Sequence, residues 1–252
     1  MRIASLYRYP VKGLSPEPLD QATLTEGGYF PGDRLFAIEN GPSGFNAAAP
    51  EHQPKIKYLM LMRQERLATL RSRYEDESRA LVIAQDGTEV LRADTDSEAG
   101  RAAVTDFFEG FMPDELRGSP KLLAAPAGYR FTDSRSGFVS IINLASVADL
   151  GERMGVSVDP LRFRGNIMVE DLPAWAEFDL MDERIAGPGG LVLEPIKRIE
   201  RCAATNVDPT TGARDMQIPK ALMKLYGHVD CGIYCRVVSG GTVERGSVLQ
   251  AA

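Results

Sequence analysis

Short extended segments broken by Gly-containing turns fill the first ninety or so residues, and this spacing constrains the fold more than any other feature of the chain. LDQATLTEGG, DRLFAIENGPSG, YLMLMRQ, LATLRSRYED and ALVIAQDGTEVLRAD are strand-like runs divided by GG, NGPSG and DG breaks. Such a series predicts an all-β unit, a small barrel or sandwich, with no evident helix. At the very start, Arg2 to Tyr7 alternates as a strand of period two, with Ile3, Ser5 and Tyr7 on one face and Ala4 and Leu6 on the other.

The pattern changes at Asp96. SEAGRAAVTDFFEGFM carries Ala102, Ala103, Phe107, Phe108 and Phe111 at helical spacing after an acidic, Ser-containing start. In GFVSIINLASVADLGERMG, Phe138 to Ile142 reads as a strand entering a helix that Asn143 or Ser146 could cap and Gly155 would close. Orphan N–H groups at such a helix start can hold an anion, or the helix can simply be capped. RFRGNIMVE, GLVLEPIKRIERCAAT and HVDCGIYCRVVSGGTVERGSVL are again strand-rich. The expected fold is mainly β with some α (α+β): residues 1–95 as an N-terminal β-barrel-like domain, and 96–252 as a second, mostly β domain with a few helices.

Composition narrows the function. A net charge of -6, with no long run of Lys or Arg, argues against a nucleic-acid or polybasic membrane surface, so any anion site must be local. No stretch approaches the roughly 20 apolar residues of a membrane span, and the N-terminus lacks a signal-like apolar run. These features lead to the expectation of a cytoplasmic protein. Cys202, Cys231 and Cys235 suit neither a disulfide framework nor a four-ligand metal site. His228, three residues before Cys231, offers at most a partial one.

Three segments could carry chemistry. Lys12, in YRYPVKGL, lies just past a strand end in a loop that Pro10, Gly13, Pro16 and Pro18 keep out of regular structure, as either a solvated or an anion-binding lysine. RFRGNIMVE reads as a strand, which puts Arg162, Arg164 and Asn166 on one face, either as a solvated face or as a phosphate or carboxylate site. Cys202 would share a strand face with Glu200 and Arg198, Arg201 pointing away, just before the tight turn DPTTG; it is either a small packed side chain or a reactive thiol.

Taken in order, the segments LYRYPVKGL, GDRLFAIEN, SIINLASVADL, RFRGNIMVE, WAEFD and RCAATNVDPTTG, with a closing hairpin in GIYCRVVSGGTVERGSVL, resemble the MOSC-domain proteins. The family is named for the C-terminal domain of molybdenum cofactor sulfurase. The likeness is to its two-domain form with an N-terminal MOSC β-barrel domain, and in layout to the amidoxime-reducing component group, so the resemblance implies that the second domain, 96–252, is a β-barrel as well. It implies a molybdenum cofactor, a molybdopterin, with Cys202 as metal ligand. It also implies pterin and phosphate contacts from Lys12, Arg34, Arg164 and Asn166, with Ser140, Asn143 and Thr205 as further cofactor-binding positions. Asp208 is a candidate for proton delivery.

The activity implied is reduction of N-hydroxylated small molecules, with electrons from a separate ferredoxin- or cytochrome-like protein. Two rival readings are a sulfurtransferase carrying a persulfide on Cys202 and a non-catalytic cofactor carrier; pyridoxal phosphate would then belong only to a separate sulfur donor. Neither nucleic acid nor membrane is expected as a partner. The chain departs from the family pattern at Gly13, where close relatives often carry a hydroxyl residue, at Gly165, where proline is usual, and at Ser247, where an acidic residue is frequent. No ferredoxin-like extension follows residue 252 in this sequence.

Overall fold

The computed structural model describes all 252 residues. β1 (Arg2–Arg8) forms where alternation predicts it. A bulge between Ile3 and Ser5 shifts its register, so Ile3 and Leu6 both face the core although strict alternation would separate them. β2 (Glu17–Leu19), β3 (Gln21–Leu24) and β4 (Phe36–Asn40) follow. The expected strand YLMLMRQ is absent. Tyr58 makes one bridge to Glu39, after which the N–H groups of Arg63 and Gln64 both turn back to the Met60 carbonyl.

β5 (Leu70–Glu75), β6 (Ala80–Gln85) and β7 (Thr88–Asp94) form a three-stranded antiparallel meander. Asp86 and Gly87, both at positive φ, make the two-residue turn that the DG signal predicts. α1 (Glu98–Phe111) starts at Ser97, whose hydroxyl accepts from the Gly100 N–H, and β8 (Pro120–Ala124) then pairs with β4.

β9 (Val139–Asn143) runs into α2 (Leu144–Met154), which Asn143 caps and left-handed Gly155 closes. β10 (Ile167–Glu170) returns parallel to β9. RFRGN is not strand. Pro160 and the Asp159 cap start a 3-10 turn over Pro160–Phe163, and Arg164 at φ 52 reverses the chain before β10. β11 (Ile185–Ala186), β12 (Val192–Glu200), α3 (Ile218–Tyr226), β13 (Asp230–Ser239), β14 (Gly241–Glu244) and β15 (Gln250–Ala251) complete the chain.

An eight-stranded sheet, in the order β15-β11-β12-β13-β9-β10-β1-β2, takes its last two strands from the N-terminus. The closing segment is not a β13–β14 hairpin. Gly240 lies so close to the Leu24 carbonyl that a Cβ would meet it at 2.8 Å, and β14 crosses over to pair with β3. The two main cores therefore do not divide at residue 95. Val104, Phe108 and Leu122 pack with Leu70 and Leu81 in the first, whereas Ile3, Leu6, Ala22 and Leu24 pack with Ile233 and Val237 in the second. Hydrophobic burial and edge pairing, not chain order, draw the line.

Candidate functional site

Between β1 and β2 the chain leaves one core for the other: Leu6 lies in the second, Val11 and Leu14 in the first. Lys12 sits at this crossing. Its N–H donates to the Phe36 carbonyl at 2.8 Å, so the start of β4 fixes its backbone. The side chain is only 6% exposed; Nζ donates to the Phe131 carbonyl at 3.0 Å and pairs with Asp133. Burial pushes the Lys12 pKa down, against the pull of Asp133. For Asp133, desolvation acts to raise the pKa, but the charge and hydrogen bond of Lys12 outweigh it and hold the carboxyl at about 2.

Two arginines stand beside this lysine. The Arg34 N–H donates to the Tyr9 carbonyl and the Tyr9 N–H to Asp33 Oδ1, both at 2.8 Å, which ties the 33–34 turn to the end of β1. The guanidinium carbons of Arg34 and Arg164 lie 4.5 and 4.3 Å from the Tyr9 ring centroid. Asp33 neutralises Arg34, accepting from Nη1 at 2.6 Å. No carboxylate pairs with Arg164, and its buried Nη2 has no hydrogen-bond partner. Burial, then the like charge of Arg34, depress the Arg164 pKa to about 10.

Cys202 arrives from the other side. β12 ends at Glu200, so the cysteine opens a loop rather than extending the strand with Glu200 and Arg198. Its carbonyl accepts from the Thr205 N–H at 3.0 Å and from Thr205 Oγ1 at 2.9 Å. Farther along, Arg214 Nη2 donates to the Met62 carbonyl at 2.7 Å and Arg71 Nη1 to the Pro209 carbonyl at 3.2 Å, pinning this loop to the first body. Cys202 is half-buried, whereas Cys231 and Cys235 are sealed in the interior and burial raises both thiols. Lys55 stands beside the Cys202 sulfur. Burial opposes its charge, but the sulfur and Asp133 prevail and raise its pKa.

These groups line one cavity of about 390 Å³. It brings together Lys12, Arg34, Ser140, Arg164, Asn166, Cys202 and Thr205 of the sequence-derived set. Seven basic side chains face it against three carboxylates, a local cationic excess in an acidic chain. Ser140 and Asn166 are locked together: Ser140 Oγ donates to Asn166 Oδ1 at 2.8 Å and accepts from the Asn166 N–H at 2.9 Å.

Two expected residues do not line the cavity. Asn143 Nδ2 donates to Glu177 Oε2 at 3.0 Å and to the Pro173 carbonyl at 2.8 Å, while its Oδ1 caps α2, so the helix start already faces the protein's own carboxylate. Asp208 Oδ1 accepts from the Thr210 and Thr211 N–H groups and Oδ2 from Arg162 Nη2 at 3.0 Å. Although burial acts to raise its pKa, those bonds bring it below the usual carboxylate value, which suits a turn anchor and not a proton donor. The sequence reading missed Lys55, Asp133, Asp33 and Tyr9. Arg201, expected to point away from Cys202, reaches the cavity wall, its Nη1 donating to the Phe163 carbonyl at 2.7 Å.

The departures from the family pattern have local causes. Gly13 has φ +86, and a Cβ there would meet the Leu59 carbonyl oxygen at 2.8 Å. At Gly165 a Cβ would meet Ile142 Cγ1 at 2.3 Å, so proline has no room. Ser247 Oγ accepts from the Glu244 N–H at 3.0 Å and steadies the last turn itself.

No group of three or more His, Cys, Asp or Glu side chains gathers to hold a metal ion by protein ligands alone. His228 Nδ1 accepts from the Asp230 N–H at 3.1 Å while Cys231 is fully buried, so the partial metal site imagined there does not form. A cavity with basic groups, an orphaned guanidinium and a single accessible thiol fits a molecule that brings its own metal and an anionic tail. No helix is long and apolar enough to cross a membrane.

Two family models match successive parts of the chain. The MOSC N-terminal beta barrel domain matches residues 1–114 and the MOSC domain residues 128–250. Mitochondrial amidoxime-reducing component 1 of Homo sapiens is 26% identical over 90% of this chain and 72% of its own length. Mitochondrial amidoxime reducing component 2 of Bos taurus is 39% identical over 35% of this chain and 25% of its own. Among solved structures, the YUAD protein from Bacillus subtilis aligns with 98% of this chain and 93% of its own, at 14% identity and a TM-score of 0.45. The chain belongs to the MOSC-domain proteins, in the form that carries an N-terminal MOSC β-barrel domain.

Proposed function

We propose that this protein is a molybdenum-cofactor-dependent reductase of N-hydroxylated small molecules. The observation that carries the reading is the cavity itself, which joins a cationic pole with an unpaired guanidinium on Arg164 to a half-buried thiol at Cys202. The names of its relatives supply the substrate class.

Lys12, Arg34 and Arg164 would hold the terminal phosphate, about two negative charges, with Ser140 and Asn166 shaping the wall beside it. When bound, the cofactor supplies a metal that accepts oxygen and exchanges two electrons. Cys202 would donate its thiolate sulfur to that metal, and the Thr205 bonds fix the loop from which it does so. In the overall reaction the substrate N–O bond breaks and its oxygen leaves as water, consuming two electrons and two protons. Lys55, protonated beside Cys202 at neutral pH, would set a positive charge at the thiol end of the cavity, there to offset negative charge on the departing oxygen. The electrons would come from a separate ferredoxin- or cytochrome-like protein, and the cytoplasm is the proposed location.

The test is molybdenum and pterin content after expression in a host that makes the cofactor, with turnover of an N-hydroxylated amidine by a chemical electron donor. Wild type should carry both and turn over. Cys202→Ala should keep the pterin, lose turnover and alter the metal's paramagnetic resonance. Wild type free of both components would end the reading. A cofactor-free protein bearing a labile extra sulfur on Cys202 would point instead to sulfur transfer, and bound molybdenum without turnover to a carrier.

A further inference from the structure

The cationic pole has two carboxylates, and they are held very differently. Asp33 is buried, with its side chain 5% exposed, and is fixed by both the Tyr9 N–H and Arg34. The Asp133 side chain is 52% exposed, and its only hydrogen-bond partner is Lys12. It belongs to the stretch between β8 and β9, which has neither helix nor strand. Around it the chain closes on itself, Thr132 Oγ1 and the Gly137 N–H both donating to the Ser134 carbonyl. Asp133 thus rides on a small turn whose own residues reach the pole by one ion pair, while its base is anchored at Phe131, which accepts from Lys12 Nζ and donates its N–H to the Arg34 carbonyl.

That ion pair neutralises only part of the pole. Lys12, Arg34 and Arg164 lie near enough for each to feel the others' charge. With Asp33 committed to Arg34, Lys12 and Arg164 share one detachable carboxylate, and Arg164 Nη2 stays unsatisfied. A phosphate offers more acceptor oxygens and about one more charge than a carboxylate, so it can serve both cations where Asp133 serves one.

We propose that Asp133 is a tethered competitor for the anion site at Lys12 and Arg164, so that a phosphate group binds by displacing it and the Thr132–Gly137 turn is the gate through which the site loads. The proposal rests on the reading above, that this pole takes the cofactor's phosphate. It adds that the chain's own carboxylate opposes loading and holds the pole together before it.

The experiment is calorimetric titration of cofactor-free, full-length protein with inorganic phosphate, for wild type, Asp133→Asn and Arg164→Met. Loss of the competing charge should tighten phosphate binding roughly tenfold in Asp133→Asn, and Arg164→Met should weaken it by a similar factor. A second measurement needs no variant: trypsin cleavage after Arg135, which is exposed on the turn, should speed up when phosphate is added to wild type. Unchanged or weaker binding by a folded Asp133→Asn protein would overturn the inference while leaving the phosphate site standing, as would cleavage that phosphate leaves unchanged or slows. Absence of phosphate binding in every variant would overturn both.

Discussion

Arg34 and Arg164 present their guanidinium groups to the same Tyr9 ring from two left-handed backbone positions, and only Arg34 has a carboxylate partner. The pair is electrostatically incomplete in the protein alone. Its members come from segments 130 residues apart, one preceding β4 and one preceding β10. Folding spends stability to hold two like charges together where a ligand can use them.

Replacing Arg164 should therefore separate stability from binding. Its depressed pKa means that burial disfavours the charged form, a penalty fully present at neutral pH and relieved only as pH rises past about 10. Arg164→Met should melt at the same temperature as wild type or higher while losing cofactor content. A clear drop in melting temperature, followed by circular dichroism, would show that Arg164 supports the fold instead.

Asn143→Ala should do the opposite. The variant loses the α2 cap and leaves the buried Glu177 carboxylate with one partner fewer, a cost of about 2–4 kcal/mol in urea unfolding. Phosphate affinity of the remaining folded protein should not change, because Asn143 does not line the cavity. Loss of phosphate binding without loss of stability would return Asn143 to the site.

Gly13→Ser introduces the hydroxyl residue that the family resemblance leads one to expect there. Here the backbone has φ +86 and a Cβ would press on the Leu59 carbonyl oxygen, so the variant should lose about 1–3 kcal/mol and gain no phosphate affinity. Urea midpoints and the same titration check both halves.

Acid should weaken the Lys12–Asp133 contact in a defined window. Asp133 is held at about 2 against an ordinary 3.8, so its contribution is complete above pH 3.8 and is lost as pH falls toward 2. Its side chain is half-exposed, and salt will screen part of the effect. Urea midpoints measured between pH 4 and 2 should fall less steeply for Asp133→Asn than for wild type. Parallel curves would mean that the pair adds nothing to stability.

The sequence by itself determined the local elements whose signals are short-range: the Asp86–Gly87 hairpin, the Ser97 cap, the β9–α2 junction with Gly155 at its end, and the Asp208 turn. It also brought out Lys12, Arg34, Arg164, Asn166 and Cys202, because their motifs resemble those of a known family in an ordered set, and all five line one cavity. Tertiary structure decided what depends on partners far along the chain. Segment 58–64 turns where a strand was expected, because a local run cannot show that no neighbour pairs with it. β14 chooses β3 over β13, and the N-terminal strands join the C-terminal sheet. Asp133 and Lys55 lie outside every motif, and Tyr9 and Asp33 lie inside two of them without any sign of their partners; only folding brings the four against Lys12, Cys202 and the two arginines. A side chain's propensity is written at its own position, but its charge balance depends on what burial places beside it.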